Sequence, residues 1–229
     1  MGTTNSDGIV ATDDRGSRYD YRLKSAAKKR LRQFVPKRKP DTFDASPEEL
    51  NVRLRVELSP LLKAGAESSL SLAEWIIRDW GGITGGVDDA PRKWMEALGA
   101  FEDETISNFI VNNGTNRISS WSKLLAFADS ENHAIYDALT SVALNCALRG
   151  SGDKRRFYMP AGKNNLITEA RLRLRRLDRE QNGETDPIGY REYIELLTAF
   201  KMSKLAPSLL RAEMTVYANA TQIAHEFLG

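Results

Sequence analysis

The chain has 229 residues, 41% of them hydrophobic and 28% charged, with a formal net charge of only +2. That is enough chain to bury a real core, and the composition is that of an ordinary soluble globular protein. A lone cysteine excludes an intramolecular disulfide, and two histidines offer no recognisable metal-ligand spacing. No cofactor and no metal site is expected.

Charge is uneven along the chain. Arg15 to Lys39 holds eleven Lys or Arg and one acid, Asp20. Arg149 to Arg179 holds ten Lys or Arg and three acids. Two basic blocks in a nearly neutral chain suggest a basic face, the footprint of a polyanion binder. No window approaches ~18 unbroken apolar residues, so no membrane span is expected. The N-terminus lacks an apolar signal core. The expected location is cytoplasmic.

The first residues, to about Gly16, read as a polar segment without a core. Tyr21 to Phe34 reads as a basic helix ended by Pro36 and Pro40. Residues 1–40 are assigned to a flexible basic arm, and 41–229 to a single domain. "SPEE" at Ser46–Glu49 is a helix start, and Leu50, Leu54 and Leu58 form its apolar stripe. Ser59-Pro60 is expected to restart the chain direction. "SLAE" at Ser71–Glu74 reads as a second capping box, opening a helix through Trp75, Ile76, Ile77 and Trp80 that Gly81-Gly82 stops. "GGITGG" is a connector, since no Gly-Lys-Ser/Thr follows to make a P-loop.

Further helices are expected from Pro91 to Leu98, Asp103 to Val111, Ile118 to Phe127 and Tyr136 to Leu148. A basic loop, "GSGDKRRFYMPAGKNN", leads to a strongly basic helix at Leu166–Arg179. Helices at Pro187–Phe200 and Leu205–Phe227 complete the chain. No period-2 alternation suggests strands. The fold class is all-α, a compact bundle of eight to ten helices.

The segment "DETISNFIVNNGTNRISSWSKLLAF" spells helix, short turn, helix. Gly114 can take positive φ, and a helix start after such a turn offers N–H groups to an anion, with Arg117 beside it. The same pattern also describes an ordinary αα-hairpin. Lys123 stands alone in the second helix, and Asp137 follows fourteen residues later at the start of the next. Lysine and aspartate are seldom buried without a partner. Lys123 can reach solvent along its stem, and Asp137 can serve as an N-cap. As a pair they make a workable glycosylase/lyase set. Burial favours the neutral amine that attacks a sugar C1′, and a carboxylate stabilises the cation formed as the base leaves.

"RISSWSKLLAF" followed by "HAIYDALTSVALN" resembles the central segment of the helix-hairpin-helix DNA glycosylase superfamily, and more closely the bacterial 8-oxoguanine DNA glycosylase-like proteins. The specific part covers about thirty residues. The resemblance implies a bundle of the glycosylase type, with Lys123 as Schiff-base nucleophile and Asp137 as the catalytic aspartate. It implies flipping of a damaged or modified base from double-stranded DNA. Asn113, Gly114, Arg117, Ser119, Lys154, Arg155 and Arg156 would bind the nucleic acid, and Trp121 and Tyr136 would line the base pocket. A monomer without membrane contact is expected. Ser122 stands where a glycine usually precedes the lysine, and Leu139 where related sequences carry arginine. The competing reading is a non-enzymatic helical DNA- or RNA-binding protein. A third is an interaction module whose basic arm docks an acidic partner.

Overall fold

The computed structural model describes residues 19–35, 45–65, 67–85, 88–182 and 189–229. Their regular elements are helices, and no strand occurs among them. Pro36 and Pro40, expected to end a helix, and Pro187, expected to start one, lie outside the described residues, as do residues 1–18 of the assigned arm. The chain divides into two compact units, Asp20–Ile135 and Tyr136–Gly229, the latter joined by Tyr19.

The first unit is organised around its last helix. Its elements are α1 (Ser25–Leu31), α2 (Pro47–Lys63), α3 (Glu67–Glu74), a π-helical segment (Trp75–Trp80), α4 (Ala90–Leu98), α5 (Asp103–Asn113) and α6 (Ile118–Ala128). Every residue of α6 from Ser120 onward is buried, and the helix packs on α2 and on the π-helical segment. Leu124, Leu125 and Phe127 are fully enclosed, each worth ~1.5–3 kcal/mol of apolar burial. Trp80 meets Phe127 edge-on at 4.9 Å, and the Arg55 guanidinium lies over the same ring at 5.7 Å.

Polar pins fix the N-terminal part of this unit. Trp75 Nε1–H donates to Ala27 O at 3.0 Å, and Trp80 Nε1–H donates to Asn51 Oδ1 at 2.8 Å. Asn51 Nδ2–H donates in turn to Tyr21 O and Pro47 O. Residues 20–35, read from the sequence as part of the arm, therefore join this packing through Ala27, Leu31 and Tyr21.

Two expectations for this unit are corrected. Pro60 does not redirect the chain: α2 runs through it to Lys63, with Leu58 and Leu62 both fully buried on either side. Packing of that stripe offsets the lost N–H. Ser71–Glu74 is not a helix start either. It lies inside a helix that begins at Glu67, and Ser69 rather than Ser71 bonds outward, to Leu61 O at 2.8 Å.

In the second unit α7 (Ala138–Gly150), α8 (Asn165–Asn182) and α9 (Tyr190–Met202) each pack on α10 (Leu209–Leu228). Val142, Cys146, Ile167, Leu174 and Ala224 form its core, with Met159 from the extended loop between α7 and α8. Burial pushes the Cys146 thiol up to about 12, which makes it an inert core group. Buried Asn145 holds that loop by pairing with both backbone groups of Phe157, at 2.9 and 3.0 Å.

Candidate active site

The helix, short turn and helix expected from the sequence are present, with α5 and α6 joined by a turn at 114–117. Gly114 ends α5 at φ +51 and donates its N–H to Ile110 O at 2.9 Å. Arg117, at φ +53, is the N-cap of α6 and provides no side-chain cap. Left-handed arginine is uncommon, and here it is what turns the chain into α6. The turn spends the N–H groups of Asn116 and Ile118 on Asn113 O and Thr115 O. Asn113 Nδ2–H donates back to Phe109 O at 2.9 Å. The hairpin tip thus satisfies much of its own polarity, leaving Arg117 as its exposed cation.

Trp121 corrects an expectation. Its ring is fully buried, edge-on to Phe109 at 5.8 Å, and its Nε1–H donates to Asn116 O at 2.9 Å. It staples the turn to the helix and offers no face to a base. Tyr136 is likewise enclosed. Its hydroxyl donates to Tyr158 O at 2.5 Å, and its ring meets Tyr193 at 4.9 Å. Burial drives the acidity of both tyrosines well below that of a free phenol.

Lys123 is 5% exposed, in a helix whose residues from Ser120 to Ala128 are all buried. Its Nζ donates to Ser119 O, and Ser119 Oγ is a buried hydroxyl with no partner among the described residues. The stem runs over Gly81, where the π-helical segment ends. A Cβ on Gly81 would sit 2.8 Å from Lys123 Cδ and Cε and 2.7 Å from Ile77 O. Only glycine leaves the space that the stem occupies. π-Helical turns concentrate at functional sites, and this one ends where the chain must give way to a lysine. The sequence reading saw Gly81 only as a helix stop.

Asp137 caps α7 as expected. Its Oδ1 accepts from Thr140 N at 3.0 Å and from Thr140 Oγ1 at 3.2 Å, while its own N–H donates to Thr140 Oγ1 at 3.1 Å. Oδ2 accepts no hydrogen bond among the described residues. The carboxylate is half-buried and held in one orientation. Lys123 belongs to the unit Asp20–Ile135 and Asp137 to Tyr136–Gly229.

The basic loop is also corrected in part. Arg156 is 7% exposed, ion-paired with Asp178 at 2.8 Å and bound to the carbonyls of Asp153 and Arg155, so it is a structural tie between loop and α8. Arg155 is exposed but forks onto Asp153, which raises its own affinity for the proton and lowers that of the aspartate. Lys154 is exposed. Elsewhere, a shallow cavity of about 470 Å³ lined by Leu70, Arg92, Met95 and Glu96 contains none of the candidate residues. Compared with family models, with curated proteins and with solved structures, the chain matches none.

Proposed function

We propose that this protein is a DNA base-excision glycosylase of the helix-hairpin-helix type, acting as a monomer on double-stranded DNA with a damaged or modified base. One observation carries the reading. An almost fully buried lysine lies on the second helix of an αα-hairpin, its stem running through a space that only glycine at 81 leaves open. Burying an amine is costly, and catalysis explains such a cost. Asp137 supplies an oriented carboxylate whose Oδ2 accepts no hydrogen bond among the described residues.

In the proposed reaction the neutral Lys123 amine gives its lone pair to C1′ of the flipped nucleotide. The N-glycosidic bond breaks with its pair going to the base, which takes up a proton from the ammonium formed on Lys123. Asp137 stabilises the positive charge that spreads over C1′ and O4′. The C1′–O4′ bond then opens with its pair going to O4′, which takes the remaining amine proton, and an imine results. Removal of a C2′ proton then expels the 3′ phosphate by β-elimination, and water hydrolyses the imine to free the lysine.

Borohydride trapping tests this. Duplexes carrying 8-oxoguanine, uracil, a modified cytosine or an abasic site are incubated with the protein, reduced and run on a denaturing gel. The expected result is a covalent adduct with at least one duplex, absent in Lys123→Ala, whose folding is checked by circular dichroism. An adduct that survives in Lys123→Ala overturns the assignment of the nucleophile. Tight duplex binding with no adduct on any duplex favours a non-enzymatic DNA binder.

A further inference from the structure

We infer that the nucleic-acid backbone is gripped by a stripe of arginines on α8, Arg171, Arg175 and Arg179. The inference rests on the proposed DNA substrate and names the surface that holds it. The basic block at Arg149–Arg179 looks uniform in the sequence, but the fold consumes much of it. Arg156 is paired with Asp178, and Arg155 with Asp153. Arg173 donates from Nη1 to Leu228 O at 2.6 Å and lies over the Phe227 ring at 5.2 Å, tying α8 to the end of α10.

What remains is ordered. Arg175, Arg176 and Arg179 are exposed and make no ion pair or hydrogen bond among the described residues. Arg171 is half-buried, and its Nε is enclosed without an acceptor among them, a donor lacking the partner that buried N–H groups normally have. Arg171, Arg175 and Arg179 recur every four residues, so they lie along one face about 6 Å apart on the helix axis. The nearest acid on that side, Asp178, is neutralised by Arg156. Glu169 and Glu180 fall instead on the side of Arg176.

A row of unpaired guanidiniums at regular spacing suits successive phosphates of one strand, each accepting a charge-assisted fork. A membrane surface is the poorer match. The apolar face of α8, Ile167, Ala170 and Leu174, is already spent in the core, and Leu172 is the one large apolar side chain left outside. An interfacial helix needs a broad apolar face of its own.

The test measures duplex affinity of the full chain against salt concentration by fluorescence anisotropy. Arg175→Gln/Arg179→Gln should flatten the plot of log K against log salt by about 1.8, roughly 0.9 for each phosphate contact. Binding at ~0.1 M salt should weaken by tens of fold, equally for damaged and undamaged duplexes. Lys201→Gln/Lys204→Gln, which removes two exposed charges elsewhere in the same unit, should leave the slope unchanged. An unchanged slope in the arginine pair, or an equal loss in the lysine pair, overturns the inference. So does capture by anionic phospholipid vesicles that depends on the two arginines while duplex binding does not. A Lys123-dependent adduct with an unaltered slope sinks the stripe and leaves the glycosylase standing. A flattened slope with no adduct supports the stripe and sinks the glycosylase.

Discussion

At the scale of single residues, Gly81 and Gly82 make an internal comparison. Gly81 has an ordinary φ, so alanine there is resisted only by the atoms it would meet, Ile77 O and the Lys123 stem. Gly82 sits at φ +66 with open space around its Cα, so alanine there is resisted only by the backbone. Gly81→Ala should cost about 1–3 kcal/mol in urea unfolding. It should also slow borohydride trapping on an abasic duplex, because the stem is displaced. Gly82→Ala should cost about 1 kcal/mol and leave trapping intact. Equal trapping by the two variants would show that Gly81 has no part in placing the amine.

At the scale of elements, the cap of α7 separates stability from chemistry. Asparagine caps a helix as well as aspartate, whereas alanine does not. Asp137→Ala should lower stability by about 1 kcal/mol, and Asp137→Asn by a few tenths at most. Both should reduce single-turnover base release by a factor on the order of a hundred or more, since the stabilising charge is gone in each. Base release by Asp137→Asn at the parental rate would confine Asp137 to capping. The elements that were legible in advance share this local grammar. Ser46 with Glu49, and Asp137 at the head of α7, depend on contacts three residues apart. Ser71–Glu74 has the same spelling without the role, because the turn before it, from Glu67, is already helical. What stayed hidden is non-local. Arg156 reads as a free cation until α8 brings Asp178 to it across 22 residues, and Gly81 reads as punctuation until Lys123 lies on it. Trp121 and Tyr136 were expected to line a base pocket, but their indole and hydroxyl groups are held by backbone carbonyls, which composition cannot reveal.

For the whole molecule, pH acts through His133. Burial lowers its affinity for a proton, Lys63 adds to the effect, and Asp129 and Asp103 partly oppose it. Its folded pKa is therefore below the usual 6.5. Between the two values the unfolded chain binds the extra proton, so stability is full above pH 6.5 and falls as pH drops through the depressed folded value. His133→Gln should flatten this part of the profile, measured as urea-unfolding free energy against pH. A slope unchanged in the variant would assign the effect to other groups. The two units also differ in what they contain. All four tryptophans, Trp75, Trp80, Trp94 and Trp121, belong to Asp20–Ile135, while the single thiol, Cys146, belongs to Tyr136–Gly229. Indole emission therefore follows one half of the chain and the rate of thiol alkylation the other. The native sequence thus carries a separate reporter for each unit, with no label to add.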